Sequence, residues 1–213
     1  MQFIGKKGLR TVFDEIYQCP DLHQPMYNGR LVYLRALAIS DLDPIMESYN
    51  QWELRRWMGV PIPKSREVMR EWLEKSIRLD PWRDGRVYFA VLGKESRSFL
   101  GIARFYDVKV PHMRASIGVS IYVPDKRSMG YGTDTTRLML WFGFHVLGLH
   151  SIYLDTMDDN TRAIHVAEKA GFKKVGVFRE TEFVDGEYKG LLYMDILRDE
   201  FMKEYPPGTM IDD

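Results

Sequence analysis

Arg127-Ser128-Met129-Gly130-Tyr131-Gly132-Thr133 combines the residue types that a phosphate cradle needs. Glycines let main-chain amides come close to a ligand, and a helix starting at such a turn aims the positive end of its dipole at an anion. The flanks provide that setting. Residues 116–123 are rich in β-branched and aromatic side chains and predict a strand. Residues 133–147 set Leu138, Trp141, Phe142, His145 and Val146 at helical spacing. A strand-to-helix turn that binds nothing has the same letters, so the loop alone does not decide. Two common cradles do not fit. Thr133-Asp134 stands where a Walker loop has Lys before Ser or Thr, and Thr135 where a dinucleotide fingerprint has its third Gly.

A second block, Asn160-Thr161-Arg162-Ala163-Ile164, lies downstream and closes on Gly171-Phe172. Together, Arg127-x-x-Gly130-x-Gly132 and Asn160-x-x-Ala163-Ile164 resemble the coenzyme loop and following helix of the GNAT superfamily of N-acetyltransferases. The similarity runs over residues 28–200. It implies acetyl-coenzyme A as cosubstrate, no metal, and direct transfer of an acetyl group to a primary amine. It further implies that amides of Arg127, Ser128, Met129, Gly130, Tyr131 and Gly132 take the pyrophosphate. Ile121 and Val123 would hold the pantetheine arm through backbone groups, and an amide near Ile121 would face the oxyanion. Arg127 either adds a charge-assisted bond or merely decorates the loop. Tyr131 reads as a packing or rim residue. Thr133 caps the helix, holds phosphate, or both. Asn160 is an N-cap that in the family also bonds the pantetheine arm.

An amine must be neutral to attack, and a lysine-like ammonium with a pKa of about 10.4 is rarely neutral at pH 7 unaided. Three of the family's polar handles are changed. Ala167 stands where many relatives have a Tyr that protonates the thiolate, Ala163 where some have Ser, and Ser116 where some have Glu. First candidates for acid–base work are therefore Asp155, Glu180 and Ser116, with Tyr106, Asp107 and Tyr153 behind them. His112, His145 and His165 read as structural, without metal-ligand spacing. On the acceptor side, helical spacing makes most of Trp52, Trp57, Met58, Trp72 and Trp82 core by default, with Trp57 and Met58 before Gly59 the preferred pocket pair. Glu47, Glu53 and Glu182 either attract a cationic amine or are solvated. The closing segment, residues 183–197, resembles the RimJ/RimL-type and polyamine-acetylating branches, which act on protein N-termini and small polyamines. A small-molecule amine or a protein N-terminus is the expected partner. The changed handles support an alternative, a non-catalytic coenzyme A-binding sensor or adaptor.

The elements that must position these groups follow from periodicity and breakers. Strands are predicted at residues 31–37, 87–92, 99–107 and 151–156. Ser40-Asp41 opens a helix with one of the two as cap, residues 52–58 make a short helical piece, and Ser65-Arg66-Glu67 opens a longer helix. Gly148 and Gly171 stop helices. Asp185-Gly186 joins residues 175–184 and 188–197 as a hairpin. The pattern is an α/β layer structure with a mixed, mostly antiparallel sheet and helices on both faces; the resemblance adds a splayed central strand pair. Residues 1–27 form an N-terminal extension, with an amphipathic helix at 9–17. Residues 28–200 form the GNAT-like domain and 201–213 a C-terminal tail, loose over residues 205–213.

At 213 residues the chain supports one substantial core. Thirty basic residues balance thirty acidic ones, so no global field favours nucleic acid or an acidic membrane. Arg55-Arg56 near Trp52 and Trp57 read as a solvated face or pocket rim rather than a nucleic-acid site. Cys19 is the sole cysteine, which excludes an internal disulfide and favours a reducing, cytoplasmic setting. The longest apolar-looking segment, residues 141–149, is too short to span a bilayer. The N-terminal arm packs on the core, joins a subunit contact such as a homodimer's, or does neither.

Overall fold

Alternating apolar residues in the middle strands feed two cores, one on each face of a single sheet. The computed structural model describes residues 27–59, 61–209 and 211. The helix expected at 9–17, Cys19 and nearly all of the N-terminal extension lie outside them. The strands are β1 (Tyr27–Asn28), β2 (Val32–Ala36), β3 (Val87–Gly93), β4 (Phe99–Lys109), β5 (Arg114–Ile121), β6 (Ser151–Met157), β7 (Lys173–Val184) and β8 (Glu187–Leu197). They pair in the order β1-β2-β3-β4-β5-β6-β8-β7, antiparallel throughout except for β5 with β6. The sheet is thus mixed and mostly antiparallel, as the pattern predicts.

Helices α1 (Leu42–Tyr49), α2 (Trp52–Arg55), α3 (Arg66–Ser76) and α4 (Pro81–Asp84) precede β3. Helix α5 (Tyr131–Trp141) follows β5, α6 (Thr161–Lys169) follows β6, and α7 (Arg198–Met202) follows β8. The period of two along β3 shows how the layers are held. Phe89 and Val91 join Leu138 and Met139 of α5 in the larger core, while Ala90 and Leu92 meet Ile45 of α1 and Leu73 of α3 in the smaller. Each large apolar side chain buried this way contributes about 1.5–3 kcal/mol.

Local caps agree with the sequence in part. Ser65 Oγ accepts the Val68 N–H at 3.3 Å, and Gly171 takes φ +99° after α6. Asp41 stands at the start of α1 without capping it. Its carboxylate turns instead to the buried Arg35 guanidinium, at 2.6 and 2.8 Å, and to the Ala38 N–H at 2.9 Å. A buried cation left unpaired would cost more than an uncapped helix. The long helix expected to reach Leu147 leaves α geometry earlier, closing in a π turn at Phe142–Val146.

The tail is not loose. Ile211 is 3% exposed in the larger core, the Trp141 Nε1–H donates to the Thr209 carbonyl at 2.9 Å, and Phe201 stacks on Tyr205 at 4.9 Å. Aromatic residues on the outer side of α5 need this cover.

Candidate active site

Strands β5 and β6 pair over three residues only, Arg114 with Ser151, Ala115 with Ile152 and Ser116 with Tyr153. Beyond Ser116 they part. A cavity of about 730 Å³ is walled by residues 117–121 of β5 and 154–156 of β6. Gly101 permits the close strand approach behind that wall, since a Cβ there would lie 1.9 Å from the Ser120 carbonyl oxygen. The Tyr122 N–H donates to the Leu100 carbonyl at 2.7 Å. Strand alternation therefore turns the neighbouring Ile121 amide the other way, toward the gap where a partner strand would lie. A parted edge of this kind offers N–H donors to an extended chain laid along it.

Where β5 ends, the chain turns into α5. Gly130 is the helix N-cap at φ +90°, a conformation costly for a residue with a Cβ. Thr133 lies within the first turn, so it is not the cap that the sequence suggested. The first amides of α5 have no intrahelical acceptor, and Gly130, Gly132 and Thr133 line the cavity there. Arg127 folds back, its Nε–H and Nη2–H donating to the Ile121 and Tyr122 carbonyls at 3.3 and 3.1 Å, and also borders the cavity. Burial pulls its pKa down, and the nearby Arg162 cation adds to that effect. Two guanidiniums beside a helix start suit a diphosphate.

Ile121, Ser128 and Asn160 also line the cavity. The Asn160 Oδ1 accepts the Ala163 N–H at 3.3 Å and its Nδ2 donates to Thr156 Oγ1 at 3.1 Å, an N-cap held at the cavity wall. The side chains of the remaining candidates lie off the cavity wall, as suits residues expected to act through main-chain groups. Met129 is 57% exposed, and Val123 and Tyr131 pack against the larger core. Asp134 went unnoticed in the sequence. Buried in the first turn of α5, it accepts the Arg30, Leu31 and Val32 N–H groups at 3.1, 2.7 and 3.0 Å, tying the β1–β2 turn to the cradle. An acidic residue in a helix's first turn was the available signal, but its partners lie a hundred residues away.

Of the acid–base candidates, Asp155 lines the cavity and accepts a hydrogen bond from Tyr106 Oη at 3.1 Å. Burial pushes the Tyr106 phenol up to about 12, with the Asp155 charge adding to it. Ser116, opposite Tyr106 in register, is fully buried behind the wall. Glu180 is brought nowhere near this group. It sits exposed at φ +56° in an irregularity of β7, which re-aims the strand there. Asp107 and Tyr153 satisfy each other at 2.6 Å; the bond lowers the Asp107 pKa, while burial and then this bond raise that of Tyr153. Ala163 and Ala167 both reach the wall and present no hydroxyl.

At the other end, Trp57 and Met58 line the cavity with Tyr49, Trp72 and Tyr88. Trp52 and Trp82 are 48% and 46% exposed, so neither is the core residue that helical spacing suggested. Arg56 pairs with Asp185 at 2.6 Å and lies 4.6 Å from the Trp57 ring, tying this segment to the β7–β8 turn. Glu47, Glu53 and Glu182 are not on the cavity wall. Arg104, unremarked in the sequence, is on it. Among the described residues no cluster of three metal-ligating side chains occurs, and no helix is long and apolar enough to cross a membrane.

Residues 31–173 match the family model of the acetyltransferase (GNAT) domain. The spermidine N(1)-acetyltransferase of Vibrio cholerae is 26% identical over 170 residues, covering 79% of this chain and 94% of that protein. Its counterpart from Escherichia coli strain K12 is 29% identical over 112 residues, a match that spans 52% of this chain and 60% of that enzyme's length. A crystal structure of the Vibrio cholerae spermidine N-acetyltransferase in complex with CoA and spermine aligns with a TM-score of 0.72 at 25% identity, over 81% of this chain and 98% of that one.

Proposed function

This chain belongs to the GNAT acetyltransferase family, and from that membership we propose that it moves the acetyl group of acetyl-coenzyme A to a primary amine, on a small molecule or a protein N-terminus. The observation that carries the reading is one cavity joining a glycine-opened helix start to a parted strand edge. The similarity to enzymes named as spermidine N-acetyltransferases supports it. Residues 28–200 form the catalytic unit, and the RimJ/RimL-type branch is the finer placement.

Bound there, the coenzyme supplies an acetyl thioester with a thiolate as leaving group. The first amides of α5 hold the diphosphate, with Arg127 and Arg162 neutralising it. The Ile121 N–H is the donor for the oxyanion that forms at the thioester carbonyl. Asp155 takes a proton from the amine nitrogen as the C–N bond forms and the C–S bond breaks. Tyr106, its proton held tightly, keeps that carboxylate aimed. Trp57, Trp72 and Tyr88 exclude water, which disfavours the ammonium form of the acceptor.

A test mixes the protein, acetyl-coenzyme A and a panel of amines, reading thiol release and acetylated product. Asp155→Asn should lower kcat by about 10²–10⁴-fold with the KM for acetyl-coenzyme A unchanged. An unaltered kcat removes Asp155 from the mechanism. Ala163 and Ala167 favour a second reading, coenzyme binding without transfer; amine-dependent thiol release would dispose of it. The homodimer reading is supported by β7, an edge strand exposing Val175, Phe178 and Phe183. Light scattering would measure the mass.

A further inference from the structure

The charges on the acceptor half of the cavity are the reverse of what a polycation needs. Among the described residues that line the cavity Asp155 is the sole carboxylate, whereas the Arg104 guanidinium borders it and Arg55 lies beside it. The Arg55 Nη1–H donates to Tyr49 Oη at 3.0 Å and its guanidinium lies 4.7 Å from that ring. Arg104 reaches from β4 across Gly118 of β5. A Cβ at Gly118 would meet the Arg104 guanidinium carbon at 2.7 Å, so the glycine makes the space for that group. The same guanidinium lies 5.6 Å from the Tyr106 ring centroid. Arg104 is half-buried, and among the described residues it lies against this ring rather than against a carboxylate.

We propose that the acceptor is an amine carrying its own carboxylate a few bonds away, and that Arg104 is the residue that selects it. The inference rests on the acetyl-transfer reading above. A half-buried guanidinium with no carboxylate partner among the described residues favours a ligand that brings one, and its planar fork binds a carboxylate through two parallel bonds. Asp155 and Arg104 flank Tyr106 from two sides. An amine at Asp155 therefore leaves an attached acid to meet Arg104. Trp72 and Tyr88, edge to face at 5.4 Å, form the wall that takes an apolar side chain. Spermidine offers only cations to this arrangement, and the Arg104 guanidinium repels them.

The test compares kcat/KM, by thiol release, for phenylalanine and methionine against their carboxamides. A peptide beginning with Glu against its Gln counterpart, and spermidine, complete the set. The free acid pair separates an amino acid from a protein end; either pair showing the preference supports the inference. The acid should exceed the amide by at least about ten-fold, mainly through KM, and spermidine should trail both. Arg104→Gln should reduce the ratio to nearly one without changing the KM for acetyl-coenzyme A, and Arg104→Lys should restore part of it. Equal use of acid and amide by the wild-type protein, or spermidine as the best acceptor, overturns the inference while acetyl transfer stands. The wild-type ratio decides alone if the variants fail to fold. No heat on titration with acetyl-coenzyme A and no thiol release with any amine would instead overturn acetyl transfer, and this inference with it.

Discussion

Gly130 and Gly132 differ in role as well as in position, which explains why the loop tolerates so little change. Gly130 sits at φ +90° with Leu31 Cδ1 3.1 Å from where a Cβ would be, so its constraint is conformational. Gly132 has room, since a Cβ there would lie 3.7 Å from Val166 Cγ2, so its constraint is the ligand. Gly132→Glu should therefore fold normally yet bind acetyl-coenzyme A about 100-fold more weakly by calorimetry, because a carboxylate enters the diphosphate's place. Unchanged affinity would move the cradle elsewhere. Tyr106 gives a prediction in pH. Its folded pKa of about 12 lies above the ordinary 10.0, so the folded state holds the proton more tightly. That stabilisation is complete below pH 10 and is lost as pH rises from 10 to 12. The urea midpoint should fall across this window, and less steeply in Tyr106→Phe.

Helix α5 does more than aim its dipole. Its Asp134 gathers three amides from the β1–β2 turn, so the cradle is pinned to the far edge of the sheet. Asp134→Ala would leave these donors short of partners and should cost about 3 kcal/mol, read as a drop in the urea midpoint. A change within experimental error would mean that water replaces the carboxylate. The short parallel pairing of β5 with β6 belongs to the same scale. Three paired residues hold the strands together at one end, and the absence of further pairing creates the cleft at the other.

Across the whole molecule, the last residues close the core. Truncation after Pro207 would remove the carbonyl acceptor of the Trp141 indole and the buried Ile211. It should cost about 3 kcal/mol and lower Tm by roughly 6–12 °C; an unchanged Tm would show that these contacts are idle. The tail was unreadable from its letters because Pro206, Pro207 and Gly208 spell a turn, while the surface it covers lies on α5. Much else was legible. The hairpin at Asp185-Gly186, with both residues at positive φ, and the Asn160 cap are local matters, decided by backbone preference and by a side chain reaching three residues ahead. Strand and helix periods, the glycine-opened loop and the family they indicate are likewise readable from the letters, since each depends on neighbours along the chain. Three-dimensional packing was needed to turn Asp155 to the cleft with Tyr106, to turn Glu180 away at a bulge, and to stand Arg104 over Gly118. Those outcomes depend on register between strands far apart in sequence, and a shift of one residue would send each side chain to the opposite face.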